Sequence, residues 1–299
     1  MMLAFAGETR KHAIGRIRSG GWPGPRSVAR VAGGEKMDNP EPAGPVEFEP
    51  VAFELDDGLA GRARIGLVAL ASDHTVEHEL HAIARLPGVA VHVTRIANSP
   101  VISPQSLAAM EDGIRHCALV IVPGAPLDVI AYGCTSASIV LGEETVLAHL
   151  RAGRPEAAPT TPVTAALAAI ETLGAKRIAV ITPYSRAVNE KVYAYLAARN
   201  IEIPVFGSFG VDDDNIVARI TPASIRRAII DLGRRDDVDM VFLSCTSLRL
   251  GAAAAAIEAE IGKPVVSSNL ALAWHCLRLA GIDDPLPEYG MLFSKRAPA

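Results

Sequence analysis

The chain has 299 residues, with a hydrophobic fraction of 49%, a charged fraction of 21% and a formal net charge of −4. That length can bury a large core and form two lobes, while the mild acidity gives no electrostatic reason to bind nucleic acid or an anionic membrane surface. No apolar run reaches the roughly 18–20 residues that cross a bilayer, and the four cysteines (Cys117, Cys134, Cys245, Cys276) contain no C-x-x-C pair, which indicates free thiols in a reducing, cytoplasmic setting.

Residues 1–61 stand apart from the rest. Met1–Lys36 is rich in Arg, Gly and Pro, and Met37–Pro50 in Pro and Glu. The apolar start is too short for a secretory signal. The segment reads as a mobile leader, with initiation at Met37 or an Arg-rich transit peptide as further readings, and it is set outside the fold.

Organised sequence begins at Arg64. R-I-G-L-V-A-L (64–70) predicts a buried parallel strand, and Ser72 or Asp73 is placed to cap a helix that runs to Leu86. V-A-V-H-V-T-R-I (89–96) alternates as a second strand. Ser103-Pro104 opens a helix to Cys117, and the apolar run Ala118–Val122 fits either its end or a short strand. A strand over 128–134 and a helix from Ser136 to Leu150 follow. Thr161-Pro162 starts a helix that Gly174 ends, and K-R-I-A-V-I-T-P (176–183) is the next strand. Helices over 186–199, 222–234, 252–261 and 270–279 alternate with strands near 201–209, 239–244 and 264–268, while Asp212–Asp214 read as acidic loop residues. The expected fold class is therefore α/β, with parallel sheets covered by helices.

Two stretches repeat. D-V-I-A-Y-G-C-T-S (128–136) and D-M-V-F-L-S-C-T-S (239–247) share a leading Asp, an apolar strand and Cys-Thr-Ser. The strands R-I-G-L-V-A and R-I-A-V-I-T lie at about the same offset, so the repeat spans a half-domain. Two pseudo-symmetric lobes follow, residues 62–160 plus 267–299 and residues 161–266. Each presents a cysteine, Cys134 or Cys245, at a strand's C-terminal end, where open α/β sheets place their chemistry. Paired thiols suit stereoinversion, one taking a proton from a carbon acid and the other donating to the opposite face. They equally suit addition of a thiolate to an activated double bond with protonation of the next carbon. The Thr-Ser after each cysteine offers N–H groups and hydroxyls at a helix start for a substrate carboxylate. Cys117 and Cys276 read as core residues, and Asp128 and Asp239, at the opposite strand ends, as structural.

Y-G-C-T-S (132–136), Thr182-Pro183-Tyr184 with Asn189-Glu190, S-C-T-S (244–247), G-K-P-V-V-S-S-N (262–269) and A-W-H-C-L-R-L-A-G (273–281) together resemble the aspartate/glutamate/hydantoin racemase superfamily, which includes maleate cis–trans isomerases and arylmalonate decarboxylases. D-H-T-V-E (73–77) with A-W-H-C-L-R-L-A-G is most similar to the ectoine-utilisation members. The resemblance covers Arg64 to Phe293. It implies a two-lobed fold, no cofactor, no metal and an active site between the lobes, with a small-molecule carboxylate as partner and homo-oligomerisation compatible with the pattern.

By that resemblance Cys134 is the nucleophile and Cys245 the proton donor, and Tyr184 contacts the ligand. Asp73, His74, Thr135, Ser136, Asn189, Thr246, Ser247 and Asn269 complete the expected substrate-binding set. Arylmalonate decarboxylases carry a glycine where Cys134 stands, which disfavours decarboxylation. Maleate isomerases carry a carboxylate-holding Asn where T-x-E-x-E (Thr75, Glu77, Glu79) aligns Asp73. An Asp there repels a second carboxylate and favours an ammonium or amidinium. The sequence reading is thus a cofactor-independent racemase or cis–trans isomerase of an amino- or amidine-bearing carboxylate, with a Cys245-dependent decarboxylase and a non-catalytic ligand-binding protein as alternatives. His74, His78 and His81 share helical spacing, but they lack the H-E-x-x-H order of a zinc site. There is no Gly-rich phosphate loop.

Overall fold

Ala63–Leu70 (β1) is buried along almost its whole length, as a central parallel strand must be when helices cover both faces of its sheet. The computed structural model describes residues 51–56 and 58–296, so residues 1–50 of the expected leader lie outside the described residues. β1 pairs in parallel with Val89–Ile96 (β2) and Val129–Gly133 (β3), and β3 pairs with Ala158–Thr160 (β4). The second sheet joins Arg177–Thr182 (β5) to Glu202–Ser208 (β6) and Met240–Leu243 (β7), and β7 to Val265–Ser267 (β8), again all parallel.

The strand orders are β2-β1-β3-β4 and β6-β5-β7-β8. The repeat is therefore one of whole sheets, and β3 and β7, the strands that lead into the two cysteines, hold equivalent places. β4 was not expected from the sequence. It is three residues long and contains Pro159, which an edge position tolerates. The register of β6 shifts beside Pro204, at the other sheet's edge.

The helices of the first half are Val76–Ile83 (α1), Pro104–Ala108 (α2), Glu111–Leu119 (α3), Thr135–Leu141 (α4) and Glu143–Gly153 (α5). Pro162–Leu173 (α6) links to the second half, with Arg186–Ala197 (α7), Asp214–Val217 (α8), Pro222–Gly233 (α9), Ala253–Ile261 (α10) and Ser268–Leu279 (α11). The helix expected from Ser103 starts there with a capping box, but breaks at Ala109-Met110 into α2 and α3. The helix expected over 136–150 is interrupted at Gly142, whose φ of 91° no L-residue adopts cheaply. Ala118 and Leu119 end α3, and Val120–Val122 turn instead of forming a strand. The acidic run holds α8, because the Asp213 side chain accepts from the Ile216 N–H at 3.1 Å.

The repeated aspartates act as clamps at the far end of the strands. Asp128 accepts from the Arg64 N–H at 2.7 Å. Asp239 accepts from the Arg177 N–H at 2.9 Å and from its guanidinium at 2.7 Å. Each pins the start of the adjacent central strand, β1 or β5. α11 leaves β8 and packs against α1, α6, β3 and β4, drawing the two sheets together where the cysteines lie.

Candidate active site

Cys134 follows β3 and caps α4, its thiol accepting from the Ala137 N–H at 3.4 Å with Ser136 Oγ at 3.7 Å. Cys245 follows β7 by two residues, at the equivalent end of the second sheet. The two are 3% and 4% exposed. The Tyr184 phenol lies against the Cys245 thiol and the Ser136 hydroxyl, with Cys134 also acting on it. One aromatic side chain thus faces both cysteine segments, and its burial, with the cysteines adding, pushes the phenol pKa well up.

Burial also pushes the Cys134 thiol up to about 12, a rise that the Ala137 N–H and Ser136 hydroxyl oppose and that Asp214 and Asp73 reinforce. Cys245 is raised as well, by burial and then by Asp214, with Asp73 adding. Both thiols are therefore held protonated near neutral pH. The charged groups that act on both of them are carboxylates, the opposite of the cationic setting that normally yields a reactive thiolate.

Asp73 is 2% exposed. Its Oδ1 accepts from the Thr75 and Val76 N–H groups at 2.6 and 2.8 Å, while Oδ2 is buried without a partner. Thr75, not Ser72 or Asp73, is the N-cap of α1 and makes no side-chain cap bond; Asp73, two residues before that cap, serves the first helical N–H, and Ser72 donates to Asp214 Oδ2 at 2.6 Å. His74 is exposed, its Nε2 2.9 Å from Asn215 Oδ1 at the rim. Asn269 donates from Nδ2 to Glu79 Oε2 and to the Thr246 carbonyl, both at 2.9 Å, and its Oδ1 is a second buried atom without a partner. Ser244 Oγ, just before Cys245, is a third. Buried polar atoms almost always find partners, so Asp73 Oδ2, Asn269 Oδ1 and Ser244 Oγ are candidate ligand contacts; the fourth such atom among the described residues, Thr172 Oγ1, lies on α6.

The hydroxyls expected to hold substrate also donate hydrogen bonds within the protein, two of them across the seam between the sheets and one to Asp214. Thr135 donates to Ser268 Oγ at 2.8 Å, Thr246 to the Gly133 carbonyl at 3.3 Å and Ser247 to Asp214 Oδ1 at 3.2 Å. Ser136, which faces Cys134, is not so engaged. Asn189 supports the Tyr184 loop, donating to the Tyr184 carbonyl at 2.8 Å and accepting from Thr182 Oγ1 at 2.5 Å. A helix start after each cysteine is also not what forms. α4 opens at Thr135, but the chain after Cys245 turns through Gly251 and reaches α10 only at Ala253, and on the way Leu250 donates its N–H to Glu79 at 3.0 Å.

Two carboxyls escaped the sequence reading. Asp214, 5% exposed, enters the site because the Val101–Asp213 bridge and the Asp214 N–H to Pro100 carbonyl bond, 2.9 Å, stitch its loop to the first half. Burial pushes its carboxyl up, with Asp73 adding. No local pattern announces it. Glu79 did carry a signal, since it shares the buried stripe of α1 with Val76, Leu80 and Ile83, where a helix surface residue would be apolar.

The family model for arylmalonate decarboxylase matches residues 91–293, and a maleate isomerase of Nocardia farcinica is 35% identical over 246 residues, 78% of this chain and 96% of that protein. The chain belongs to the arylmalonate decarboxylase and maleate isomerase family. Among solved family structures, the maleate isomerase of Pseudomonas putida S16 superposes with a TM-score of 0.72 at 27% identity, covering 78% of this chain and 98% of that one. A cysteine-to-serine variant of the Nocardia farcinica maleate cis–trans isomerase, with a covalently bound succinylcysteine intermediate, gives a TM-score of 0.70 at 32% identity over 77% and 98% of the two chains. The two-sheet α/β architecture is that of the family. Among the described residues no helix is long and apolar enough to cross a membrane.

Proposed function

We propose that this protein is a cofactor-independent isomerase that acts at a carbon next to a carboxylate, on a small metabolite that also bears an amino or amidine group, with Cys134 and Cys245 as its proton-handling or nucleophilic pair. The observation that carries the reading is the pair of buried thiols at equivalent strand ends, Tyr184 against them and carboxylates beside them. The succinylcysteine in the Nocardia relative favours nucleophilic addition. In that chemistry the Cys134 thiolate forms a C–S bond to one carbon of the double bond while the Cys245 thiol passes its proton to the other. Rotation about the new single bond, return of the proton and loss of the thiolate complete a cis–trans exchange. In racemisation one cysteine takes the α-proton and the other returns one from the opposite face, so their roles alternate between turnovers.

The acidic walls direct the choice of substrate. The unpartnered Asp73 Oδ2 and the carboxyl of Asp214 repel a second carboxylate and attract a cation. Burial is the main reason the thiols stay protonated, and a bound ammonium or amidinium would offset the part that Asp214 and Asp73 add, so the substrate's charge helps generate the thiolate. Ectoine catabolism, with its amino- and amidine-bearing carboxylates, is the setting that D-H-T-V-E (73–77) and A-W-H-C-L-R-L-A-G (273–281) favour. The buried, unbridged cysteines suit a reducing cytoplasm.

Solvent-deuterium incorporation into a panel of amino carboxylates tests the proposal, with Cys134→Ala and Cys245→Ala beside wild type. Isomerisation with deuterium incorporation that needs both thiols supports it; turnover left intact by either substitution removes the two-cysteine mechanism. The family model keeps a lyase as second reading. Carbon dioxide release from an arylmalonate that survives Cys134→Gly but not Cys245→Ala is the outcome that favours the lyase.

A further inference from the structure

Glu79 occupies a core position of α1 between Val76 and Leu80 on one side and Ile83 on the other, yet its partners are neutral. Oε1 accepts from the Leu250 N–H at 3.0 Å and Oε2 from Asn269 Nδ2 at 2.9 Å. Gly251 permits this approach: a Cβ there would stand 3.3 Å from Glu79 Oε1. The second Asn269 N–H goes to the Thr246 carbonyl at 2.9 Å. Rotating the carboxamide by half a turn would set its oxygen against that carbonyl and against the Glu79 carboxylate, both acceptors. The amide therefore has one orientation, and in it the buried Oδ1 is left without a partner. Asn269 stands next to Ser268, which accepts from Thr135, and beside Thr246, so it lies between the residues that follow the two cysteines.

We infer that Glu79 is a positioning residue of this site, one that holds Asn269 so that its carboxamide oxygen is offered to a substrate N–H. The inference rests on the proposed function above and deepens it by adding a neutral acceptor, oriented by a partner outside the site, to the Asp73 and Asp214 walls. It also makes substrate affinity depend on pH. Burial pushes the Glu79 carboxyl up to about 7, with Asp73 adding and the Asn269, Leu250 and Gly251 bonds opposing. Asp73 faces it from the loop before α1. His74, His78, Arg249 and Tyr289 line a cavity of about 270 Å³ on its outer side, which gives protons a route in. Protonated Glu79 meets the Asn269 donor with a weaker acceptor, and the lock on the amide loosens.

The test is a pH titration of the Asn269 side-chain amide by NMR, on protein labelled with ¹⁵N at asparagine, with Asn269→Asp to assign the signal. The expected result is a shift with a midpoint near pH 7 in wild type that is absent in Glu79→Gln. In steady-state assays the KM of an amino carboxylate identified by deuterium exchange rises about tenfold below that midpoint, the loss of roughly one hydrogen bond, while kcat changes little. A wild-type Asn269 amide that is flat from pH 5.5 to 8.5, or a titration that persists in Glu79→Gln, overturns the inference. The titration needs no turnover, so a panel without exchange counts against the isomerase alone. Exchange that follows both cysteines beside a flat amide counts against Glu79 alone.

Discussion

The acidity of the cysteines offers the most direct quantitative check on the site. At pH 8 an ordinary thiol, with a pKa of about 8.5, is about one quarter thiolate. Cys134, pushed up to about 12 by burial and by Asp214 and Asp73, is ionised to about one part in 10⁴, a deficit of roughly 2,000-fold. Nucleophilicity rises with basicity, at a Brønsted coefficient of about 0.45, and returns roughly 40-fold of that. Alkylation of Cys134 by iodoacetamide at pH 8 is thus expected about 50-fold slower than that of a free thiol, before steric exclusion slows it further. The pH profile is the sharper readout. With mass spectrometry of the Cys134 peptide, the logarithm of the rate climbs with unit slope through pH 10, whereas a free thiol levels off near pH 9. Asp73→Asn removes one of the two carboxylates and is expected to speed the reaction at pH 8 by about two- to fourfold, the net effect of half to one pKa unit after the accompanying loss of nucleophilicity. A profile that saturates by pH 9, or one that Asp73→Asn leaves unmoved, would refute the account of how the site holds its thiols.

Further outcomes follow from the same structure. Glu79 has a folded pKa above its unfolded one, so its contribution to stability is greatest below about pH 4.5 and falls as the pH rises to about 7, by about 3 kcal/mol in all; urea melts across that range are expected to show a decline that Glu79→Gln flattens. Asp128→Ala and Asp239→Ala each remove a side-chain acceptor from a strand-start N–H. Each is expected to lower stability by about 1 kcal/mol in urea unfolding while leaving deuterium exchange unchanged. Asn189→Ala removes one of the two donors to the Tyr184 carbonyl, leaving Ser208, and the nearer acceptor of the Thr182 hydroxyl, and about tenfold loss of turnover with little change in melting temperature is expected, since Tyr184 is then held less firmly against both cysteines.

The chain shows by its letters alone what depends on local pattern. Alternating apolar runs and breakers placed β1, β2, β3, β5, β6, β7 and β8 within a residue or two, and the duplicated Cys-Thr-Ser announced a duplicated sheet, because a strand end that presents a thiol carries its own neighbours with it. Gly142 and the three-residue β4 were missed, one because a single glycine does not declare its φ, the other because Ala-Pro-Thr has strand character only beside β3. Tertiary structure alone decided what each polar group faces. Thr135, Thr246 and Ser247 read as substrate-binding hydroxyls, and the fold adds that each also donates a hydrogen bond within the protein, Thr135 and Thr246 between the two halves and Ser247 to Asp214. Asp214 lies 80 residues along the chain from Cys134 and 31 before Cys245, and reaches them because a bridge at Val101 carries its loop across. Glu79 and Asn269, far apart in sequence, meet through 2.9 Å of packed interior. Periodicity is a property of neighbours in the chain, whereas burial, pairing and the lack of a partner are properties of neighbours in space, and the chemistry of this site is made of the latter.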